Sequence, residues 1–172
     1  MNKICAIMLL AIGLSCMTGC GMLAMTVVDT ARGGTSEIMT ISPVRNLHSY
    51  DHLDVKPFTS NVGGLLSNEL LVELNNEVDG ELSGFVNKTG SGKGLIMSGS
   101  VIHVADGTFE KQIVMQIRMQ DATDGQTVGL ANISAHANSI RGLREGVAAL
   151  AEGLVDLLAE NKFSGLKDSA SF

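Results

Sequence analysis

Apolar residues recur along this chain in two rhythms, and each rhythm predicts a class of element. Towards the C-terminus Ile140, Leu143, Val147, Leu150, Leu154 and Leu157 follow one another at spacings of 3, 4, 3, 4 and 3, and Val155 and Leu158 widen the stripe. That period predicts an amphipathic helix of about five turns with one face on a core. The same alternation would suit a coiled-coil seam, but it lasts under three heptads and lacks a consistent charge frame beside it, so packing within the chain is expected. An earlier helix is predicted after a cap at Ser60 or Asn61. There Leu66, Leu70 and Leu74 recur four apart, Glu69, Glu73 and Glu77 supply charge, and Asp79-Gly80 ends the run.

The second rhythm has period two. Over residues 109–121, Ile113, Met115, Ile117 and Met119 alternate with Val114, Gln116, Arg118 and Gln120, the pattern of a half-buried strand. Residues 95–105 and 127–137 read as its neighbours, because Asp106-Gly107 and Asp124-Gly125 are tight-turn dipeptides between apolar runs. A strand is also predicted over 50–58, where Leu53 and Val55 alternate with Asp54 and Lys56 before Pro57. Short strands are expected over 38–41 at a sheet edge and over 81–88. The order strand, helix, short strand, three meandering strands, helix predicts an α+β fold. It is a two-layer sandwich in which a mainly antiparallel sheet of about four to five strands carries two helices on one face.

The N-terminus follows neither rhythm. Lys3 precedes the apolar block 4–14, and the stretch ends in Met17-Thr18-Gly19-Cys20. A positive start, a short apolar run and small residues before a cysteine look like a bacterial lipoprotein signal, in which the cysteine is acylated and becomes the new N-terminus. Cys20, with Thr18 and Gly19 before it, suits this pattern better than Cys16, which follows Leu14-Ser15. The alternative is an uncleaved membrane anchor, since residues 4–28 are uncharged and about 20 apolar residues span a bilayer. Gly13, Ser15, Thr18, Gly19 and Gly21 dilute the hydrophobicity that a spanning helix needs. The expected organisation is a signal peptide over 1–19, a lipidated tether over 20–44, an α+β domain over 45–162 and a disordered tail over 163–172. Gly21 after the cysteine, rather than Asp, resembles lipoproteins released to the outer membrane, so the expected address is its periplasmic face.

Composition adds three constraints. All three cysteines, Cys5, Cys16 and Cys20, lie in or at the end of the leader, so no disulfide braces the mature domain. Without Lys3 the mature chain carries 11 basic and 18 acidic side chains, a net charge of −7, and shows no basic stripe. Nucleic acid is therefore not an expected partner. With no Trp and a single Tyr, an aromatic-lined binding groove is disfavoured.

The run 50–58, the leucine-rich helix 65–74, Ser98-Gly99-Ser100-Val101, the segment 114–119 closed by Asp121-Ala122-Thr123-Asp124-Gly125, and the long C-terminal helix together resemble an uncharacterised family of bacterial lipoproteins, the DUF4410 type. The resemblance spans residues 45–160. It implies a fold similar to anticodon-binding-like envelope domains such as the TolB N-terminal domain, and a binding or assembly role with no catalytic residue. Members typically carry Asp-Ala-x-Thr-Gly at the turn, where this chain has Asp124 in the threonine position.

Apparent chemical motifs dissolve on inspection. Residues 88–94 look like a phosphate loop, but Asn87 and Gly94 stand where Gly and Ser or Thr are required. No serine lies in Gly-x-Ser-x-Gly, and the Asp121 to Gly125 run lacks the acidic spacing of a calcium loop. His48 and His52 flank Asp51, yet on a flat strand four residues separate the imidazoles by about 13 Å, too far for one ion. No cofactor or metal is expected. Two functions stand. The first is a non-catalytic envelope module, joined to the membrane through Cys20 and to an envelope protein partner. The alternative is an envelope hydrolase with an unrecognised site at His48, Asp51 and His52.

Overall fold

In the computed structural model, residues 34–108, 110–138 and 142–166 are described. The Met17-Thr18-Gly19-Cys20 motif, the leader and the tether up to residue 33 lie outside them, as does Ile140. The chain from Gly34 onward forms its own compact unit. Among the described residues six strands, β1 (Gly34–Ser42), β2 (His52–Val55), β3 (Thr59–Ser60), β4 (Gly94–Asp106), β5 (Glu110–Asp121) and β6 (Thr127–Asn138), build one open sheet with two helices, α1 (Asn68–Phe85) and α2 (Leu143–Glu160). This is the expected α+β sandwich with one more strand than the four to five predicted.

The meander is antiparallel, with spatial order β1-β6-β5-β4, and β2 and β3 then pair with β4 in parallel. Two parallel strands followed by a helix and a return strand form a crossover, the connection that parallel pairing requires. One sheet face is buried along the predicted stripe: Ile113, Met115, Ile117 and Met119 from β5, Ala131, Ile133 and Ala135 from β6, and Leu95, Met97, Val101 and Val104 from β4. The step from Val101 to Val104 breaks the alternation. A register shift between Val101 and His103 inserts Ile102 as an extra residue, so Val104 returns to the core face.

Helix α2 lies over β1, β5 and β6 and against α1. The approach is close because Gly153 has no side chain: a Cβ there would stand 2.9 Å from Ile133 Cγ2 and 3.0 Å from Ser36 Oγ. Helix α1 starts at Ser67, whose Oγ accepts the Leu70 N–H at 3.2 Å, rather than at Ser60 or Asn61. It runs through Asp79-Gly80 instead of stopping there, and no strand forms over 81–88. Leu74, Val78 and Leu82, four apart, are all buried, and burying them outweighs the roughly 1 kcal/mol that an interior glycine costs. Asn75, a weak helix former, is held in α1 by tertiary bonds. Its Oδ1 accepts the Phe58 N–H at 2.7 Å and its Nδ2 donates to the Phe58 carbonyl at 3.3 Å.

Packing extends beyond residue 162, into the stretch expected as tail. Phe163 is buried, Leu166 bridges to Val86, the Asn87 N–H donates to the Gly165 carbonyl at 2.8 Å, and Ser164 Oγ donates to the His48 carbonyl at 2.6 Å. The strand expected over 38–41 is longer: β1 covers nine residues and takes in positions assigned to the tether.

Candidate functional site: a polar cleft beside the β5–β6 turn

The alternation that buries β5 continues one step further than its apolar residues. Asp121 is in phase with Met119 and pairs with Leu95, so its carboxylate enters the core face at the end of the strand and is only 5% exposed. A buried carboxylate must find donors. Three are present: Lys93 Nζ lies 2.6 Å from Oδ2, Tyr50 Oη donates to Oδ2 at 3.0 Å, and the Thr123 N–H donates to Oδ1 at 2.8 Å. The Lys93 ammonium also sits 4.6 Å from the centroid of the Tyr50 ring, within cation–π range.

These contacts fix the charges. The Lys93 ammonium first, and then the Thr123 N–H, hold the Asp121 carboxyl well below the usual carboxylate range. Its bond to Asp121 raises Lys93, and burial followed by the same carboxylate raises Tyr50. All three titrations are driven further from neutral pH. Near pH 7 these shifts keep Asp121 ionised, Lys93 protonated and Tyr50 neutral.

The trio forms the floor of a cleft of about 530 Å3, a volume within the range of small-ligand sites. Ser42 and Pro43 at the end of β1, Arg45, Asn46 and Ser49 on the following connection, and Asp124, Gln126 and Thr127 at the β5–β6 turn complete it. Its walls are held by backbone bonds. The Arg45 N–H donates to the Val128 carbonyl at 3.1 Å, and Asn46 adopts a left-handed conformation (φ 57°) that lets its carbonyl accept both the Ser49 N–H and the Ser49 hydroxyl. On the opposite wall Gly125, at φ 72°, makes the tight turn that the Asp124-Gly125 dipeptide predicts, and Asp124 Oδ1 accepts the Gln126 N–H at 2.9 Å.

The predicted histidine cluster is only partly assembled. Asp51 Oδ1 lies 3.4 Å from His52 Nδ1, and Asp51 Oδ2 accepts the Gly92 N–H at 3.1 Å, so the 88–94 loop folds over this pair. His48 stands apart, exposed on the turn Leu47–Ser49, and among the described residues no side-chain bond joins it to either. Among those residues no group of three or more His, Cys, Asp or Glu side chains is placed to hold a metal ion. No helix among them is long and apolar enough to cross a membrane.

A second surface stands out. The outward sheet face is largely polar and bonds to itself: Gln112 Nε2 donates to Ser134 Oγ at 2.7 Å, and Ser134 Oγ lies 3.3 Å from His136 Nε2. Two large apolar side chains of β1 are exposed, Met39 at 61% and Ile41 at 49%. Strand β1 pairs only with β6, and its other edge has no strand partner among the described residues.

No protein-family model matches the chain, and no curated protein does. Among solved structures the chain is similar to two of the PelC dodecamer from Paraburkholderia phytofirmans, one of them a point variant. Identities are 17% and 16% and TM-scores 0.47 and 0.46, and each match covers 72% of this chain and 96% of that one. It is also similar to a candidate lipoprotein from Caulobacter crescentus, at 16% identity and TM-score 0.42, covering 66% of this chain and 90% of that one.

Proposed function

We propose that this chain is a lipid-anchored lipoprotein of the bacterial envelope, of the DUF4410 type, which serves as a non-catalytic binding or assembly module for another envelope protein. Met17-Thr18-Gly19-Cys20 supports the anchor, and Gly21 supports an address on the periplasmic face of the outer membrane. The observation that carries the binding role is the open β1 edge. Natural sheets blunt such edges with lysine, proline or a covering element. Here nine residues hold no lysine or proline, and Met39 and Ile41 face outward. An extended segment of a partner protein would add to the sheet there, with backbone hydrogen bonds giving affinity and alternate side chains giving selectivity. The ion pair of Lys93 with Asp121, bonded to the neutral Tyr50 hydroxyl, favours binding over acid–base chemistry.

The test places a photo-crosslinker at Met39 in the membrane-bound protein. A discrete crosslinked partner is expected. Ile41→Lys is expected to abolish it while leaving stability within about 0.5 kcal/mol of the parent, since the site is exposed. Recovery of only the uncrosslinked monomer, or crosslinking indifferent to Ile41→Lys, would count against the edge. Fractionation into the inner membrane would overturn the address.

A further inference from the structure

We infer that the cleft beside the β5–β6 turn is a binding site for a singly charged phosphate group, held by Arg45 and Lys93. Unused hydrogen-bonding capacity marks the site. Asp121 has spent its carboxylate on Lys93, Tyr50 and Thr123 and is buried, so it offers a ligand little negative surface. Its effect is to fix the Lys93 ammonium at the floor of the cleft, with 44% of the side chain still exposed. Arg45 is tied by its backbone to Val128, yet its guanidinium makes no ion pair among the described residues. Arg45, whose guanidinium carries five N–H donors in a planar fork, lines a cleft that also holds the Lys93 ammonium.

Asn46 and Gln126, whose side-chain amides carry neutral donors, line the same cleft. Two cationic side chains and these amide donors on one cleft match the chemistry of an oxyanion. Asp124 limits the charge. Its carboxylate lines the same cleft and would oppose a dianion, so a monoanionic phosphate, such as a phosphodiester or singly ionised inorganic phosphate, is the better fit. Such a group has two sources here: a soluble phosphate compound, or the headgroup of a phospholipid.

The test uses the full-length protein in a nonionic detergent at constant ionic strength. Sodium phosphate at pH 6 is titrated in place of sodium chloride while backbone amide NMR shifts are followed. Saturable shifts confined to Arg45, Asn46, Ser49, Lys93 and Gln126 are expected. Arg45→Gln should weaken the apparent affinity at least tenfold, as removal of a charge-assisted pair of bonds implies. Lys56→Gln, an exposed change outside the cleft, should leave it unchanged. Adding phosphatidylglycerol to the micelles identifies the source. If it moves the same amides and phosphate competes with it, the headgroup is the ligand; if only inorganic phosphate moves them, the ligand is soluble. Linear, non-saturating shifts, or equal affinity in Arg45→Gln, would overturn the site, and so would an equal loss in Lys56→Gln. The β1 crosslink does not depend on Arg45, so the two readings fail separately.

Discussion

Truncating Leu154 to alanine is expected to lower the unfolding free energy by about 2–5 kcal/mol, a large share of the stability of a domain this size. Leu154 is fully buried in α2, next to the glycine that brings the helix against Ile133 and Ser36. The helix is pinned on both sides, so the cavity left by the missing atoms has little room to collapse. Leu65 supplies the control. It is 65% exposed, and Leu65→Ala should change stability by no more than about 0.5 kcal/mol. Urea unfolding read by circular dichroism separates them: the midpoint of Leu154→Ala falls sharply with an unchanged slope. Equal midpoints for the two variants would mean that α2 does not cover the sheet as described.

Replacement of Asp121 has the second large effect, and pH sets its size. Asp121→Ala leaves Tyr50 Oη, the Thr123 N–H and the Lys93 ammonium without their acceptor, whereas Asp124→Ala removes only a turn contact, so the first should melt well below the second. The folded carboxyl titrates below its unfolded value. Its stabilising contribution is therefore complete above the unfolded pKa of about 3.9 and fades as the pH falls below it, when the unfolded chain takes up the proton first. The gap in melting temperature between the parent and Asp121→Asn should be constant from pH 7 to 5 and narrow below pH 4. At the alkaline end the raised values of Lys93 and Tyr50 act in the opposite sense. Their contributions hold up to about pH 10 and are lost as the pH rises through the folded values. A gap that widens on acidification would contradict the burial of an ionised Asp121.

The elements that were legible from the sequence are those whose signal is local. The β4–β5–β6 meander follows from period-two alternation closed by Asp-Gly turns, and α2 from its 3-4 spacing. Both patterns are short-range consequences of facing one core. Less was legible where distant segments decide. The parallel pairing of β2 and β3 with β4 joins residues about 40 apart, and α1 persists through Asp79-Gly80 because Val78 and Leu82 meet a core contributed by other segments. The bridge of Leu166 to Val86 and the burial of Phe163 likewise have no periodic signal.

The cleft shows the same division. The Asp121 to Gly125 run reads as a turn, and the position of Asp121 in phase with Ile117 and Met119 signals a carboxylate that needs partners on the core face. Which partners it finds does not follow from the pattern, since Tyr50 is 71 residues away and Lys93 arrives from a loop that reads as a bare turn. In the candidate cluster, adjacency in sequence brought Asp51 and His52 together, whereas His48 is carried off by the turn Leu47–Ser49.

The proposed role in the envelope rests on a lipid tether at Cys20. Intact mass spectrometry of the protein extracted from membranes, with and without an inhibitor of the lipoprotein signal peptidase, reads that tether directly. A mass beginning at diacylated Cys20 is expected, replaced under the inhibitor by a precursor that keeps residues 1–19. A species that retains residues 1–28 without lipid would refute the tether and mean a membrane-spanning anchor instead.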